Sequence, residues 1–288
     1  MKNHEKKMKA KVYAKLNLTL NVGGKAGDFH AIESIVTSVD LFDTVQVVLR
    51  NDGVVTVGGV EGVEQAANTA YKAAVEFGKH VKFGGADIFL DKHIPFGGGL
   101  GGSSADAAAV LCCLQQFYGA DEQIVRQIAA SVGSDVYYMT KGGYAVMRGK
   151  GEDVTAFDAP RVYFALTVFD HANNTGEVYA EFDRLKQSCL SDTAFVVELL
   201  KSGQTKSAVT LFSNGLQKAA RSMSDYAEDY ICFAKSQGLN PVMTGSGSAY
   251  FAAFDNVSDA AKACNILCNA GFDTKLCSSV PCGIEFID

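Results

Sequence analysis

From Val12 to Val22 the chain alternates, with Val12, Ala14, Leu16, Leu18, Leu20 and Val22 on one side and Lys15, Asn17, Thr19 and Asn21 on the other. A period of two predicts a strand half-buried on its apolar face, which leaves the polar face free to work on a ligand. Thr44 to Arg50 and Val54 to Val57 read as further strands around the turn signal Asn51-Asp52-Gly53, giving an antiparallel meander. Ala66 to Phe77 follows as a helix, Ala86 to Asp91 as a short strand, and Ser103 to Tyr118 as a helix with Ala107, Val110, Leu111, Leu114 and Phe117 at spacings of three and four. Ser103 or Ser104 is its predicted N-cap. Glu122 to Val132 is a second helix ending at Gly133, and Tyr144 to Val154 a hairpin turning at Gly149 to Gly151.

Beyond Pro160 a strand is predicted at Val162 to Phe169, with helices near Gly176 to Lys186, Thr193 to Lys201 and Met223 to Gln237. Strand, helix and strand follow from Met243 to Ser278, and a last strand at Gly283 to Ile287. The economical division is into two α+β domains, 1–159 and 160–288.

Composition narrows the function classes. With 288 residues, 48% hydrophobic and 20% charged, the chain has the balance of a globular protein rather than a disordered one. A net charge of −6 argues against a surface built to neutralise nucleic acid. Met1 to Lys11 is polar and lysine-rich without the apolar stretch of a signal peptide, and no later run is apolar enough to span a bilayer, so no membrane role is expected. The eight cysteines lie scattered or adjacent, as in Cys112-Cys113, and Cys264 with Cys268 lacks a second ligand pair at zinc-like spacing. They read as buried reduced thiols, which fits the cytoplasm.

Chemistry concentrates in Pro95-Phe96-Gly97-Gly98-Gly99-Leu100-Gly101-Gly102-Ser103-Ser104, set between a strand and a helix N-terminus. Glycines let the backbone curl so that its N–H groups meet phosphate oxygens, and the first helical turn adds partial positive charge. Gly97, Gly99 and Gly102 also satisfy G-x-G-x-x-G, but the region before them is antiparallel in character and Asp121 and Glu122 fall at a helix boundary, not at the end of a ribose-binding strand. No Lys-Ser or Lys-Thr pair follows the loop as a P-loop requires.

Pro95 with Gly99-Leu100-Gly101-Gly102-Ser103-Ser104-Ala105 resembles the central motif of the GHMP kinases. Two further motifs of that family appear in order: Ala14-Lys15-Leu16-Asn17-Leu18, and Met243-Thr244-Gly245-Ser246-Gly247-Ser248. Within the family the chain is most similar to the 4-diphosphocytidyl-2-C-methyl-D-erythritol kinases, on Ala14 to Leu18, Asp28-Phe29-His30, Gly133-Ser134-Asp135-Val136, Gly149-Lys150-Gly151-Glu152 and Thr175-Gly176-Glu177-Val178-Tyr179. The resemblance implies a ribosomal-protein-S5-like N-terminal domain, a ferredoxin-like C-terminal domain, and an ATP site between them formed by Pro95 to Ser104.

It also implies roles. Asp135, which by its position alone could be a turn-capping aspartate, becomes the base that takes the acceptor's hydroxyl proton. Lys15, otherwise an ordinary solvated strand lysine, becomes its electrostatic partner, and Asn17 a hydrogen-bond partner of the acceptor alcohol. Phe29, His30 and Tyr179 fall at the family's positions for sandwiching and reading cytosine in a cytidyl diphosphate sugar-alcohol. Ser104 is a candidate ligand for the Mg²⁺ that accompanies ATP. The chain departs from the family pattern at Gly27-Asp28-Phe29-His30 (commonly Asp-Gly-Tyr-His), at Asp135-Val136-Tyr137 (Asp-Val-Pro) and at Asn214-Gly215-Leu216-Gln217 (Asn-Asp-Leu-Glu). The expected protein is an ATP-dependent small-molecule kinase of isoprenoid precursor synthesis, a monomer or homodimer. The alternatives are a GHMP kinase for mevalonate, phosphomevalonate, homoserine or a sugar, and a non-catalytic nucleotide-binding relative.

Overall fold

A computed structural model describes residues 6–27, 29–186 and 191–287. Two long strands, β1 (Lys7–Ala26) and β2 (Phe29–Leu49), pair antiparallel along their whole length with register shifts at Tyr13/Ala14, Asn17/Thr19 and Val22/Lys25. β1 is longer than the alternation alone predicts because β2 carries a ladder past it at both ends. The other edge of β2 is shared by three strands in succession: β5 (Ala145–Gly149) at Ile32 to Val36, β11 (Thr274–Val280) at Ser38 and Val39, and β4 (Ala86–Asp91) at Thr44 to Leu49. β6 (Asp153–Ala156) completes the hairpin expected around Gly149 to Gly151.

The expected meander is corrected at its third strand. β3 (Val55–Gly58) pairs parallel with β4, and β4 lies between it and β2. Asn51-Asp52-Gly53 thus turns the chain without forming a hairpin. Its arm is fastened instead by the Arg50 guanidinium, which donates to Asp52 and to both oxygens of Asp87.

β11 continues into β7 (Tyr163–Thr167), β10 (Tyr250–Phe254) and β9 (Val242–Met243), an antiparallel set over which α10 (Val257–Asn269) packs. The second half also returns to the first sheet through β12 (Ile284–Ile287) on β1 and β8 (Ser213–Asn214), parallel to β1. The architecture is α+β, with α1 (Thr69–His80), α2 (Gly102–Tyr118) and α4 (Val136–Lys141) layered on the sheet that β1 and β2 begin, and α3 (Glu122–Val132) packed on those helices. The remaining helices include α5 (Thr175–Leu185), α6 (Thr193–Lys201), α7 (Thr205–Val209), α8 (Gln217–Met223) and α9 (Glu228–Ser236).

β1 is buried on both faces, so the expectation of a half-buried strand fails. Val12, Ala14, Leu16 and Leu18 reach the core, each large side chain contributing about 2 kcal/mol by leaving water. Lys15, Asn17, Thr19 and Asn21 are buried as well, and their polar groups must therefore be satisfied inside the protein. Those partners build the site.

Candidate active site

The polar face of β1 is held in one orientation by hydrogen bonds that leave little choice. The Asn17 backbone N–H donates to Thr244 Oγ1 at 3.0 Å, its side-chain amide donates to Ser34 Oγ at 2.8 Å, and Ser34 passes a hydrogen bond to the Thr19 carbonyl at 2.5 Å. With Nδ2 committed, Asn17 Oδ1 faces Lys15 Nζ at 2.5 Å. The same ammonium lies 3.5 Å from Asp135 Oδ2. Lys15 is almost wholly enclosed, its side chain 6% exposed against 30% for Asp135, so the carboxylate is the member of the pair open to a ligand.

Asp135 occupies the N-cap position of α4, a helix the sequence reading does not predict, yet its side chain makes no capping hydrogen bond. The turn-capping role is therefore not the one it plays here.

Pro95 to Gly101 runs from β4 into α2, and the helix begins one residue earlier than expected, with Gly101 in the left-handed region as its N-cap. Neither Ser103 nor Ser104 caps the helix, and both residues line the cleft. Gly97, Gly99 and Gly101 all have positive φ. The carbonyls are tied back into the protein: Gly97 O accepts from Ser248 N, Gly98 O from Ala249 N, Gly99 O from Thr244 Oγ1, Leu100 O from Lys15 N and Gly101 O from Ala105 N. Among the described residues none of the backbone N–H groups of Gly97, Gly99, Leu100 and Gly101 donates to a protein acceptor, and those of Gly102 to Ser104 lie in the first helical turn, where no intrahelical partner exists. A row of free donors ahead of a helix N-terminus suits an anion with several oxygens.

This brings the three separated motifs into contact. Thr244 binds both Asn17 and the loop, and a Cβ on Gly99 would lie 2.3 Å from Thr244 O. Asn214 in turn clamps the third motif, donating to Met243 O at 2.7 Å and Gly245 O at 2.8 Å.

Beneath the loop lies a constellation that the sequence reading missed. Lys92 Nζ sits 2.5 Å from Asp43 Oδ2 and 2.6 Å from Asp106 Oδ2, and Asp43 Oδ1 accepts from the backbone N–H groups of His93 and Ile94 at 2.5 and 2.8 Å. Burial, outweighing the Lys92 ammonium, pushes the Asp106 carboxyl up to about 7. A carboxylate in the first turns of an otherwise small and apolar run, Ser104-Ala105-Asp106-Ala107-Ala108, was the signal available in the sequence.

The opposite wall carries the remaining candidates. The His30 ring stacks on Tyr179 at 5.3 Å between centroids and meets the edge of Phe182 at 5.9 Å. His30 Nδ1 faces Gly23 O at 2.9 Å and Nε2 lies 3.0 Å from Asp183 Oδ1, which also binds Lys25 through Oδ2 at 2.6 Å. Burial, and then the Asp135 carboxylate, push the Tyr179 hydroxyl up to about 12, an indication that this wall lies within the field of Asp135. Phe29 is 56% exposed, and its ring lies under Lys150 Nζ at 4.3 Å, a cation–π contact. Asp28, part of the same motif, lies outside the described residues.

These groups line one cleft of about 1480 Å³ that contains Lys15, Asn17, Asp135, Phe29, His30 and Tyr179 as well as the glycine loop. That exceeds the roughly 300–1,000 Å³ of a typical single-ligand pocket and leaves room for two substrates side by side. Among the described residues no group of three or more His, Cys, Asp or Glu side chains is placed to hold a metal. A donor set of one serine hydroxyl suits a hydrated Mg²⁺ carried by phosphates rather than a protein-built metal cage. The described cysteines are all free thiols, but the expectation of burial holds for only some: Cys113, Cys264 and Cys277 are buried, while Cys232 and Cys268 are exposed. Cys189 lies outside the described residues. Among those residues no helix is long and apolar enough to cross a membrane.

A free-amide loop at a helix N-terminus, facing a lysine–aspartate pair inside a cleft for two ligands, defines a phosphate-handling enzyme of the small-molecule kinase class. Residues 68–147 match the GHMP kinases N-terminal domain. The chain belongs to the GHMP kinase family and is a small-molecule kinase, a phosphotransferase that takes ATP as substrate. It is 35% identical to a 4-diphosphocytidyl-2-C-methyl-D-erythritol kinase of Desulfitobacterium hafniense (83% of this chain, 84% of the relative). It is 32% identical to the enzyme of that name from Caldanaerobacter subterraneus (89% and 91%). A crystal structure of a 4-(cytidine 5'-diphospho)-2C-methyl-D-erythritol kinase superposes with a TM-score of 0.79 at 27% identity, covering 94% of this chain and 98% of that one. Homoserine kinase from Cytophaga hutchinsonii shares the fold, with a TM-score of 0.70 at 19% identity over 100% and 99% of the two chains.

Proposed function

We propose that this kinase transfers the γ-phosphoryl group of ATP to a hydroxyl of 4-diphosphocytidyl-2-C-methyl-D-erythritol, a step of non-mevalonate isoprenoid precursor synthesis in the cytoplasm. The observation that carries the kinase chemistry is the loop whose carbonyls from Gly97 to Gly101 are tied back while most of its amides are free, beside Lys15 and Asp135. The relatives of that name support the choice of acceptor.

The triphosphate lies along Pro95 to Ser104, its oxygens on the free amides. The acceptor alcohol sits between Asn17, Lys15 and Asp135. As its oxygen attacks the γ-phosphorus and the bond to ADP breaks, Asp135 takes the proton and Lys15 steadies the oxygen's growing charge. Ser104, directly or through water, would hold a Mg²⁺ accompanying ATP, which would supply charge neutralisation there. His30, Tyr179 and Phe29 hold the cytidyl half. In this reading residues 1–159 and 160–288 are the two domains and the cleft is shared between them.

A coupled ADP-release assay across candidate alcohols tests this. Turnover of the cytidyl substrate at least a hundredfold above mevalonate and homoserine is expected. Turnover of either of those without turnover of the cytidyl substrate overturns the assignment.

A further inference from the structure

The nucleotide loop is anchored along its middle by the third motif and by β1, but its two ends need a separate fastening. Residues 92 to 94 lead into it and Asp106 follows it, and these ends are joined by one ammonium. Lys92 Nζ binds Asp106 Oδ2 across fourteen residues of chain and Asp43 Oδ2 on β2, while Asp43 Oδ1 collects the backbone N–H groups of His93 and Ile94. Both carboxylates are enclosed, with side-chain exposures of 0% for Asp43 and 5% for Asp106, so little water reaches them to weaken their hold on the ammonium. Asp106 Oδ1 has no hydrogen-bond partner among the described residues, so all the directional bonding of this carboxylate goes to Lys92.

The placement relative to the helix start is equally specific. A Cβ on Gly102 would lie 3.5 Å from Lys92 Nζ and 3.1 Å from Ile94 Cγ2, whereas a Cβ on the preceding Gly101 would lie 3.1 Å from Lys15 Cγ. Two lysines therefore straddle the first residues of α2, one paired with the base candidate Asp135 and the other with the buried acids. Of the second group only Lys92 borders the cleft; Asp43 and Asp106 stand behind it.

We infer that Asp43, Lys92 and Asp106 form a staple that presets the nucleotide loop, with Asp106 a positioning residue that acts on nucleotide binding through Lys92. The staple keeps the loop's free amides in their binding arrangement before the ligand arrives, so that little ordering cost falls on the nucleotide. It rests on the reading of Pro95 to Ser104 as the nucleotide site.

The test combines hydrogen exchange of the ligand-free full chain with nucleotide and acceptor titrations. Asp106→Ala leaves Lys92 its partner Asp43, so the charge pair survives and the protein folds. Amide exchange within residues 95–104 is expected to accelerate about tenfold or more while β1 and β2 change less than about twofold, because the lost fastening is local. The dissociation constant for ADP should rise by a similar factor with acceptor binding unchanged, and Asp106→Asn, which keeps an oxygen for Lys92, should restore both. Lys92→Arg, which keeps the charge but cannot fit a compact ammonium between the two acids, provides an independent variant with the same expected signature. Unchanged loop exchange, or faster exchange throughout the protein with equal losses for both ligands, overturns the staple. If ADP fails to protect residues 95–104 in the unmutated protein, the nucleotide reading falls, and the free-state exchange still decides the staple.

Discussion

Gly99 is the position at which the packing of the site can be tested most sharply. Its φ of +73° is a conformation that costs a side-chain-bearing residue about 1–2 kcal/mol. A Cβ there would lie 2.3 Å from Thr244 O and 3.0 Å from Gly247 O. The first of these falls short of the ~3.5 Å at which such contacts become favourable by roughly 1 Å, so the loop and the third motif must separate. That separation stretches the bonds from Ser248 N to Gly97 O (3.2 Å), from Ala249 N to Gly98 O (3.1 Å) and from Thr244 Oγ1 to Gly99 O (3.4 Å). Losing two of them costs a further ~1–3 kcal/mol, for a total near 2–5 kcal/mol. For a chain of this size Gly99→Ala should lower Tm by about 4–8 °C and raise the KM for ATP about tenfold. Gly98→Ala is the matched control: its Cβ would meet Leu100 Cδ1 at 3.4 Å and Ala249 Cβ at 3.5 Å, ordinary contacts, and its φ is not positive. It should shift Tm by no more than about 1 °C. Thermal denaturation with steady-state kinetics reads both, and an unchanged Gly99→Ala, or a Gly98→Ala equally damaged, would refute the contact argument.

Asp135→Asn should retain ATP binding while kcat falls about 10²–10⁴-fold, the range for a lost general base; an unchanged rate removes Asp135 from proton transfer. Tyr179→Ala takes away the ring that His30 stacks on, so the KM for the cytidyl substrate should rise at least about tenfold with the KM for ATP held within twofold. Equal changes in both constants would mean that Tyr179 only supports the fold. Alkylation at pH 8 followed by peptide mass spectrometry should label Cys232 and Cys268 within minutes. Cys113, buried and with its thiol pushed up to about 12 by that burial, should stay unlabelled until the protein unfolds, and early labelling there would contradict its enclosure.

Elements with local punctuation were legible in the sequence. α3 runs over the residues expected, Glu122 to Val132, because Asp121 caps its start and Gly133 ends it. α6 likewise matches Thr193 to Lys201, with Asp192 accepting from Phe195 N. The first half of β2 was not legible: Ser34, Ile35, Val36, Thr37, Ser38 and Val39 are all buried, so no alternation survives to announce a strand. The parallel pairing of β3 with β4 was hidden for another reason, since a partner strand inserted from thirty residues later leaves no local trace. In the site, the motifs supplied Lys15, Asp135 and the loop, while Asp43, Lys92 and Asp106 are joined only by the fold. The expectation that Ser103 or Ser104 caps α2 failed because Gly101, in the left-handed region, takes the cap position and sends the chain into the helix one residue sooner.

The arrangement explains why an anion loop of this kind needs companions far away in sequence. Curling Gly97 to Gly101 to free a row of amides turns their carbonyls inward, where each requires a donor if it is not to be stranded without water. α2 satisfies only Gly101 O; the others depend on Lys15 N from the first motif and on Thr244, Ser248 and Ala249 in and beside the third. The backbone that donates to Leu100 is the same residue whose ammonium faces Asp135, so placing the loop and placing the lysine are one event. Thr244 couples them again by accepting from Asn17 N and donating to Gly99 O. A displaced third motif would thus disturb the amides that meet phosphate and the strand that carries Lys15 together, which is why Gly99→Ala should weaken the nucleotide site and slow transfer rather than do only one of these.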